Sequence, residues 1–286
     1  KNFIATASDL AKKVNEGTVP IQNAITTIIQ FPEGKKFARQ DKEDKKSRAT
    51  FFSSAFLEHL LLVASPGTRL DALNLYRDLV ATGHWSSQES RATFVLRYAK
   101  AVLVHWRYFP DPSIRLHEAI DLIDETLPFV DVTKSPRLTR DLWFVHARIL
   151  ENIGIWEPEV YEAAAVSYQR GLDVPNIAFE LEARGMALTD YANTLSRLHP
   201  ADEEAHDKKI TATFREALTI LKTEKRILGG TLALNSYAIY LNERRFGERV
   251  ENQERALALA QEAIDLIEGD RRHLAHRRGG LRRHEQ

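Results

Sequence analysis

The chain has 286 residues, of which 43% are hydrophobic and 28% are charged, a composition typical of a folded protein. Lysine plus arginine and aspartate plus glutamate number 40 each, and this balance argues against a general nucleic-acid or anionic-membrane binder, which usually carries a basic excess. No cysteine is present, so disulfides, thiolate metal sites and a cysteine nucleophile are excluded.

The sequence contains no recognisable targeting segment. Its longest apolar run, residues 60–64, is far shorter than the roughly 20 residues that span a bilayer. Residues 1–4 include neither an initiator methionine nor the apolar core of a signal peptide, and we interpret the chain as processed or as a fragment of a longer protein. A cytoplasmic location is the default expectation.

The first 48 residues predict two helices and a charged linker. The first helix covers residues 8–16 and stops at Gly17, and the second ends before Pro32. Residues 33–48 mix charges of both signs without apolar periodicity, which favours a solvated linker. A nuclear-localisation or nucleic-acid patch is the alternative.

Residues 49–154 predict five further helices. The first of them stops at Pro66, and the third and fifth run to about Phe109 and to Gly154. The predicted start signals of the last four are Thr68 with Asp71, Ser86 with Glu89, Asp111 with Pro112, and Ser135 with Pro136.

Helical periodicity continues to the end of the chain. Five more helices are predicted, over residues 157–171, 178–198, 203–222, 225–246 and 252–268, and Gly269 closes the last. The array therefore covers residues 49–270, and residues 271–286 remain as a basic tail.

A small residue recurs inside these helices at a regular interval. It lies 48, 45 and 46 residues apart in the first helices of four successive pairs, and 52, 46 and 46 apart in the second helices. Helix axes packed about 8–10 Å apart need a small side chain where the backbones come closest. The small residues are Ala99, Ala147, Ala192 and Ala238 in the first helices, and Ala119, Gly171, Ala217 and Ala263 in the second.

Such self-similarity is typical of a stacked helical-repeat array. We therefore expect an all-α, right-handed solenoid of about ten to twelve helices arranged as antiparallel pairs. Four unrelated hairpins in a bundle are the alternative.

The second helices of the last three pairs share one spacing of packing residues. They read Ala164-x3-Tyr168-x2-Gly171-Leu172, Ile210-x3-Phe214-x2-Ala217-Leu218 and Ala256-x3-Ala260-x2-Ala263-Ile264. This pattern resembles the second half of the tetratricopeptide repeat, well over residues 88–269 and weakly over 49–83. The family's period is about 34, whereas the period here is near 46, and such long repeats are similar to those of large bacterial multidomain proteins.

The resemblance implies a concave groove lined by the first helices, in which a peptide or a partner helix lies. Arginine and lysine would donate charge-assisted hydrogen bonds to carboxylates there, and asparagine would pair with peptide groups. A solvated face without a ligand is the alternative. The groove residues that the resemblance implies are Lys100, Arg148, Asn193, Arg197 and Asn235.

Catalytic motifs are absent from the sequence. It contains no phosphate-binding loop and no nucleophile elbow, and His117-Glu118 is only a fragment of a zinc-protease motif. We interpret Gly229 and Gly230 as glycines that permit close packing or a cap. We predict no enzyme activity, no cofactor and no metal.

The basic tail is predicted to be flexible. His273 and His276 could share a helix face, but the nearby arginines oppose a bound cation. The alternative role of the tail is docking onto an acidic partner or onto nucleic acid. The arginines that would contact phosphates are Arg271, Arg272, Arg277, Arg278, Arg282 and Arg283.

These observations predict a non-enzymatic protein–protein interaction module. It would bind a peptide or partner helix and serve as the regulatory or scaffold part of a longer protein. A nucleic-acid-associated protein is the alternative, and an enzyme is a third hypothesis that no local spacing of residues supports.

Overall fold

The fold is all-α, as predicted. The computed structural model describes residues 3–29, 53, 55–83, 85–175, 181–224 and 226–281, and of these the side chains between residues 5 and 269. No strand occurs in the described residues. The predicted linker at residues 33–48 lies outside them. The chain divides into two compact units, Lys1–Glu157 and Pro158–Gln286.

Seven helices belong to the described part of the first unit. Their bounds are α1 (Phe3–Asn15), α2 (Ile21–Ile29), α3 (residues 55–63), α4 (Pro66–Thr82), α5 (Gln88–His105), α6 (Pro112–Thr126) and α7 (Pro136–Ile153). A 3-10 turn, Trp106–Tyr108, follows α5, so this helix ends earlier than the predicted Phe109.

Five helices belong to the described part of the second unit. Their bounds are α8 (Tyr161–Asp173), α9 (Leu181–Leu195), α10 (Glu203–Thr223), α11 (Ile227–Glu243) and α12 (Arg249–Leu281). The helices α9 and α10 are antiparallel: Gly185 at the start of α9 lies against Leu221 at the end of α10. At the opposite end of the pair, His206 lies 2.7 Å from the carbonyl oxygen of Leu195.

Helix pairs pack consecutively within each unit. From α4 to α7 and from α8 to α12, each helix contacts the next one along the chain. In addition α5 contacts α7, and α9 contacts α11, so the first helices of neighbouring pairs lie side by side. This translational order is that of a solenoid-like arrangement, in which each pair contacts only its neighbours.

The repeating small residues lie where the sequence places them. All eight, from Ala99 to Ala263, are buried. Large side chains beside them on the same helix are also fully buried, such as Tyr98, Tyr168 and Phe214. Full burial of one such apolar side chain contributes about 1.5–3 kcal/mol, so the repeat pattern marks the main source of stability.

Two predicted helix boundaries are confirmed in detail. Asp111 caps α6 by accepting a hydrogen bond from the backbone N–H of Ile114, and Pro112 is the first residue of this helix. Gly17 follows α1 with a φ of +71°, a backbone conformation that favours glycine.

Two predicted capping boxes are wrong. Ser87, and not Ser86, caps α5 by accepting a hydrogen bond from the N–H of Ser90. The carboxylate of Glu89 instead accepts a hydrogen bond of 2.6 Å from Ser135, which ties the start of α5 to the start of α7. Thr68 lies inside the first turn of α4, because Pro66 already has the φ of a helical first residue.

The helix end predicted at Gly269 is also wrong, because the backbone of α12 is helical through Leu281. A glycine favours a helix end most strongly where it adopts a positive φ. Among the described glycines, only Gly17 and Gly247 do so. Glycine inside a helix costs about 1 kcal/mol relative to alanine, which is too little to terminate a long helix.

Candidate interaction surface

One face of α11 exposes apolar side chains along its whole length. Leu228, Leu232 and Ile239 are 76%, 45% and 51% exposed, and Asn235 between them is exposed as well. Their spacing of four, three and four residues puts them on one side of the helix. An apolar stripe that stays in solvent costs free energy until another molecule covers it.

The opposite face of α11 is packed tightly against its own unit. A Cβ atom on Gly229 would lie 3.0 Å from Cδ2 of Leu221 and 3.2 Å from Sδ of Met186. A Cβ atom on Gly185 would lie 2.7 Å from Cγ of Leu221. The helices α9, α10 and α11 therefore meet around Leu221 without room for a further methyl group, which confirms the packing interpretation of Gly229.

The three predicted groove residues of the second unit have different surroundings. Asn235 lies on the exposed face of α11. Asn193 is half-buried, and its side-chain amide donates a hydrogen bond of 3.3 Å to Oγ of Ser236, which links α9 to α11. Arg197 donates a hydrogen bond of 2.9 Å to the hydroxyl of Tyr161 and lies over the same ring.

The other two predicted groove residues belong to the first unit. The ammonium group of Lys100 on α5 lies 3.6 Å from the carboxylate of Asp141 on α7, so it bridges two neighbouring first helices. Arg148 on α7 is exposed. Val104, one turn after Lys100, is 70% exposed. The exposed first-helix positions of this unit thus combine charged and apolar groups.

A buried charged cluster at the end of α11 is the feature that sequence reasoning missed. Asp207 on α10 is only 5% exposed. Arg244 donates to it from Nε at 2.7 Å and from Nη2 at 2.5 Å, and the hydroxyl of Tyr240 donates to the same carboxylate. Arg244 also donates to Asn252, whose amide donates to the carbonyl of Phe246. The cluster thereby fixes the loop between α11 and α12.

A sequence signal for this cluster does exist. Asp207 precedes Ile210 and Phe214 on the buried stripe of α10, so an acid occupies a position where the period requires an apolar residue. A buried carboxylate needs a partner, and the sequence alone does not tell which of the many arginines supplies it.

The electrostatics of Asp207 indicate a structural role. Burial by itself raises the pKa of this carboxyl group, but the hydrogen bonds from Arg244 and Tyr240 outweigh burial and lower the pKa below its usual value. Burial, together with the hydrogen bond to Asp207 and the negative charge of that carboxylate, raises the pKa of the Tyr240 hydroxyl. The carboxylate stays ionised and fully hydrogen-bonded, which is unlike the poised acid or base of a catalytic site.

The cluster lies beside a cleft of about 280 Å3 within the second unit. The imidazoles of His199 and His206 and the carboxylates of Glu203 and Glu243 are among the groups that line it. In the described part of the chain, no three metal-ligating side chains come close enough together to hold a metal ion.

No protein-family model matches the chain, and no similar curated protein was found. Among the helices that the structure describes, none is both long enough and apolar enough to cross a membrane.

Proposed function

We propose that the chain is a non-enzymatic protein–protein interaction module that binds a helix or extended peptide of a partner on the exposed faces of its first helices. The observation that supports this most directly is the stripe of Leu228, Leu232 and Ile239 on α11. Apolar side chains at helical spacing are how one helix anchors another in a groove.

The size of the stripe suits a specific but moderate contact. Each of its three apolar side chains would contribute at most about 1.5–3 kcal/mol if a partner buried it fully, and part of that gain is offset by the entropy lost on association. Asn235 adds one side-chain amide that can both donate to and accept from peptide groups. The partner is therefore an amphipathic helix or a peptide with several apolar anchors.

The same proposal includes the repeat type and the place of the chain in a larger protein. The stacking of helix pairs and the buried small residues support a tetratricopeptide-like repeat. Within the first unit by itself, Lys100 and Arg148 present cationic groups on first helices and would select carboxylates of a segment bound to that unit. We propose further that such a module serves as the regulatory or scaffold part of a longer protein.

Site-specific photo-crosslinking tests this proposal. A benzophenone amino acid replaces Leu232 in one variant and, as a matched control, Val166 in another, because Val166 is 50% exposed on α8 of the same unit. Irradiation in an extract of the source cells should yield a discrete crosslinked protein from position 232 only, and Ile239→Asp should abolish that product. Identical products from both positions would contradict the proposal.

Nucleic-acid binding through the arginines from Arg271 to Arg283 is the competing function. Their side chains lie outside the described residues. Binding of this kind falls steeply with added salt and should vanish when residues 271–286 are deleted. Binding through α11 should survive both changes.

A further inference from the structure

The last helix carries a second exposed apolar stripe, which the α11 surface does not include. Leu257, Ile264 and Ile267 on α12 are 71%, 49% and 38% exposed. Ala260, half-buried, lies between them. The spacing of three, four and three residues places the four side chains on one side of the helix. We call these four residues the α12 stripe.

The contacts of α12 show which way the stripe faces. Glu262 forms an ion pair of 2.6 Å with Lys222 of α10, and it lies on the opposite side of α12 from Ile264. Asn252, Ala256 and Ala263 are buried on the side that packs against α11. The α12 stripe therefore faces away from the preceding helix pair, in the direction in which the array adds helices.

The preceding pair of the second unit, α9 with α10, has this face covered. The helix α11 packs on both α9 and α10, with the close approach at Gly229. In the described part of the unit, no helix occupies the equivalent position on α11 and α12.

Acidic residues flank the α12 stripe. Of the five acids between residues 250 and 269, Glu262 and Glu251 lie on the far side of α12, where they form ion pairs with Lys222 and with Arg255. Glu254 and Asp265 lie beside Leu257 and Ile264 on the outer edge of the helix. The stripe thus combines an apolar centre with a negative rim.

We propose that the α12 stripe is a second docking surface, and that it binds an amphipathic helix of a partner protein whose apolar face is flanked by lysine or arginine. The apolar centre anchors such a helix, and the acidic rim selects its charge and speeds its association. The same face of a second copy would bring Glu254 and Asp265 against like charges, which disfavours a symmetric dimer through this stripe.

The test uses the full chain and two synthetic helical peptides with identical leucine faces, one flanked by lysines and the other by glutamates. Fluorescence anisotropy at about 0.15 M salt should show binding of the lysine peptide alone. Ile264→Asp should raise its Kd by about tenfold or more. Val166→Asp, an equally exposed control on α8, should leave the Kd unchanged. Equal loss of binding in both variants would overturn the proposal.

Charge reversal gives an independent readout that does not depend on the apolar substitution. Glu254→Lys combined with Asp265→Lys should weaken binding of the lysine peptide and strengthen binding of the glutamate peptide. An unchanged preference for the lysine peptide over the glutamate peptide would overturn the proposal. Self-association of the wild-type chain in sedimentation, if Ile264→Asp abolished it, would overturn it as well. Leu232→Asp on α11 should not affect peptide binding to the α12 stripe, so the failure of one surface is distinguishable from the failure of the other.

Discussion

Arg244 holds the carboxylate of Asp207 from two of its guanidinium nitrogens, Nε at 2.7 Å and Nη2 at 2.5 Å, although 37 residues separate the two in the chain. The pair joins α10 to the segment that follows α11. The pair is shielded from water, since the side chain of Asp207 is 7% exposed and that of Arg244 is 17% exposed. A bidentate arginine–carboxylate contact has strict geometry, so this pair fixes the position in which α11 presents its exposed face.

Removal of one partner of this pair should be strongly destabilising. Arg244→Ala leaves the buried carboxylate without its counter-charge, and breaking such a pair costs about 3–5 kcal/mol. Urea unfolding followed by circular dichroism measures the loss. The neighbouring Arg245 is exposed, and Arg245→Ala should change stability by less than about 0.5 kcal/mol. Equal losses of unfolding free energy in the two variants would show that the pair of Arg244 and Asp207 does not stabilise the fold.

The pair should also make stability depend on pH in the acid range. The folded chain lowers the pKa of Asp207 below its ordinary value of 3.8. As the pH falls, the unfolded chain therefore binds a proton at this carboxylate before the folded chain does. The stability that the pair contributes is complete above the ordinary pKa and is lost as the pH falls through the pKa of the folded chain. The stability difference between wild type and Asp207→Asn should shrink between pH 6 and about pH 3. A stability difference that stays constant over this pH range would contradict a contribution from the ionised Asp207.

Two glycines in helices should respond to alanine in opposite directions. At Gly185 the new Cβ would lie 2.7 Å from Cγ of the fully buried Leu221, and such overpacking costs about 1–3 kcal/mol. At Gly269 nothing lies within 4 Å of a Cβ, and alanine should stabilise α12 by about 0.5–1 kcal/mol. Thermal unfolding of the two variants checks both signs. A stabilising Gly185→Ala would show that the helices separate at little cost.

The sequence predicted those parts of the fold that depend on local pattern. The buried alanines and the cap at Asp111 follow from spacing and from residue chemistry within a few positions. The helix end at Gly269 was wrong because a glycine alone weakens a helix only slightly. Gly83 and Gly154 do follow helix ends, whereas Gly269 lies inside α12, and the surrounding contacts decide between the two outcomes. The capping-box pattern favoured Ser86 over the adjacent Ser87, and it failed because Glu89 bonds to the distant Ser135 instead.

Contacts between distant segments were beyond prediction. The partner of Asp207 lies one helix away, and several arginines were equally plausible from the sequence. Asn193 was expected in the groove, and the structure shows its amide bonded to Ser236 on the adjacent first helix. The exposed stripe on α11 could be anticipated only in part, at Asn235, because exposure depends on which helices pack nearby.

The most direct test of the central claim is a titration of the segment identified by crosslinking at position 232 into the wild-type chain and into Ile239→Asp. Ile239→Asp removes the apolar contact and places a charge against the partner, so binding should weaken by at least about 1.4 kcal/mol, a rise in Kd of about tenfold or more. Val166→Asp should bind like the wild type. Equal affinity for all three chains would show that the exposed face of α11 is not a binding surface.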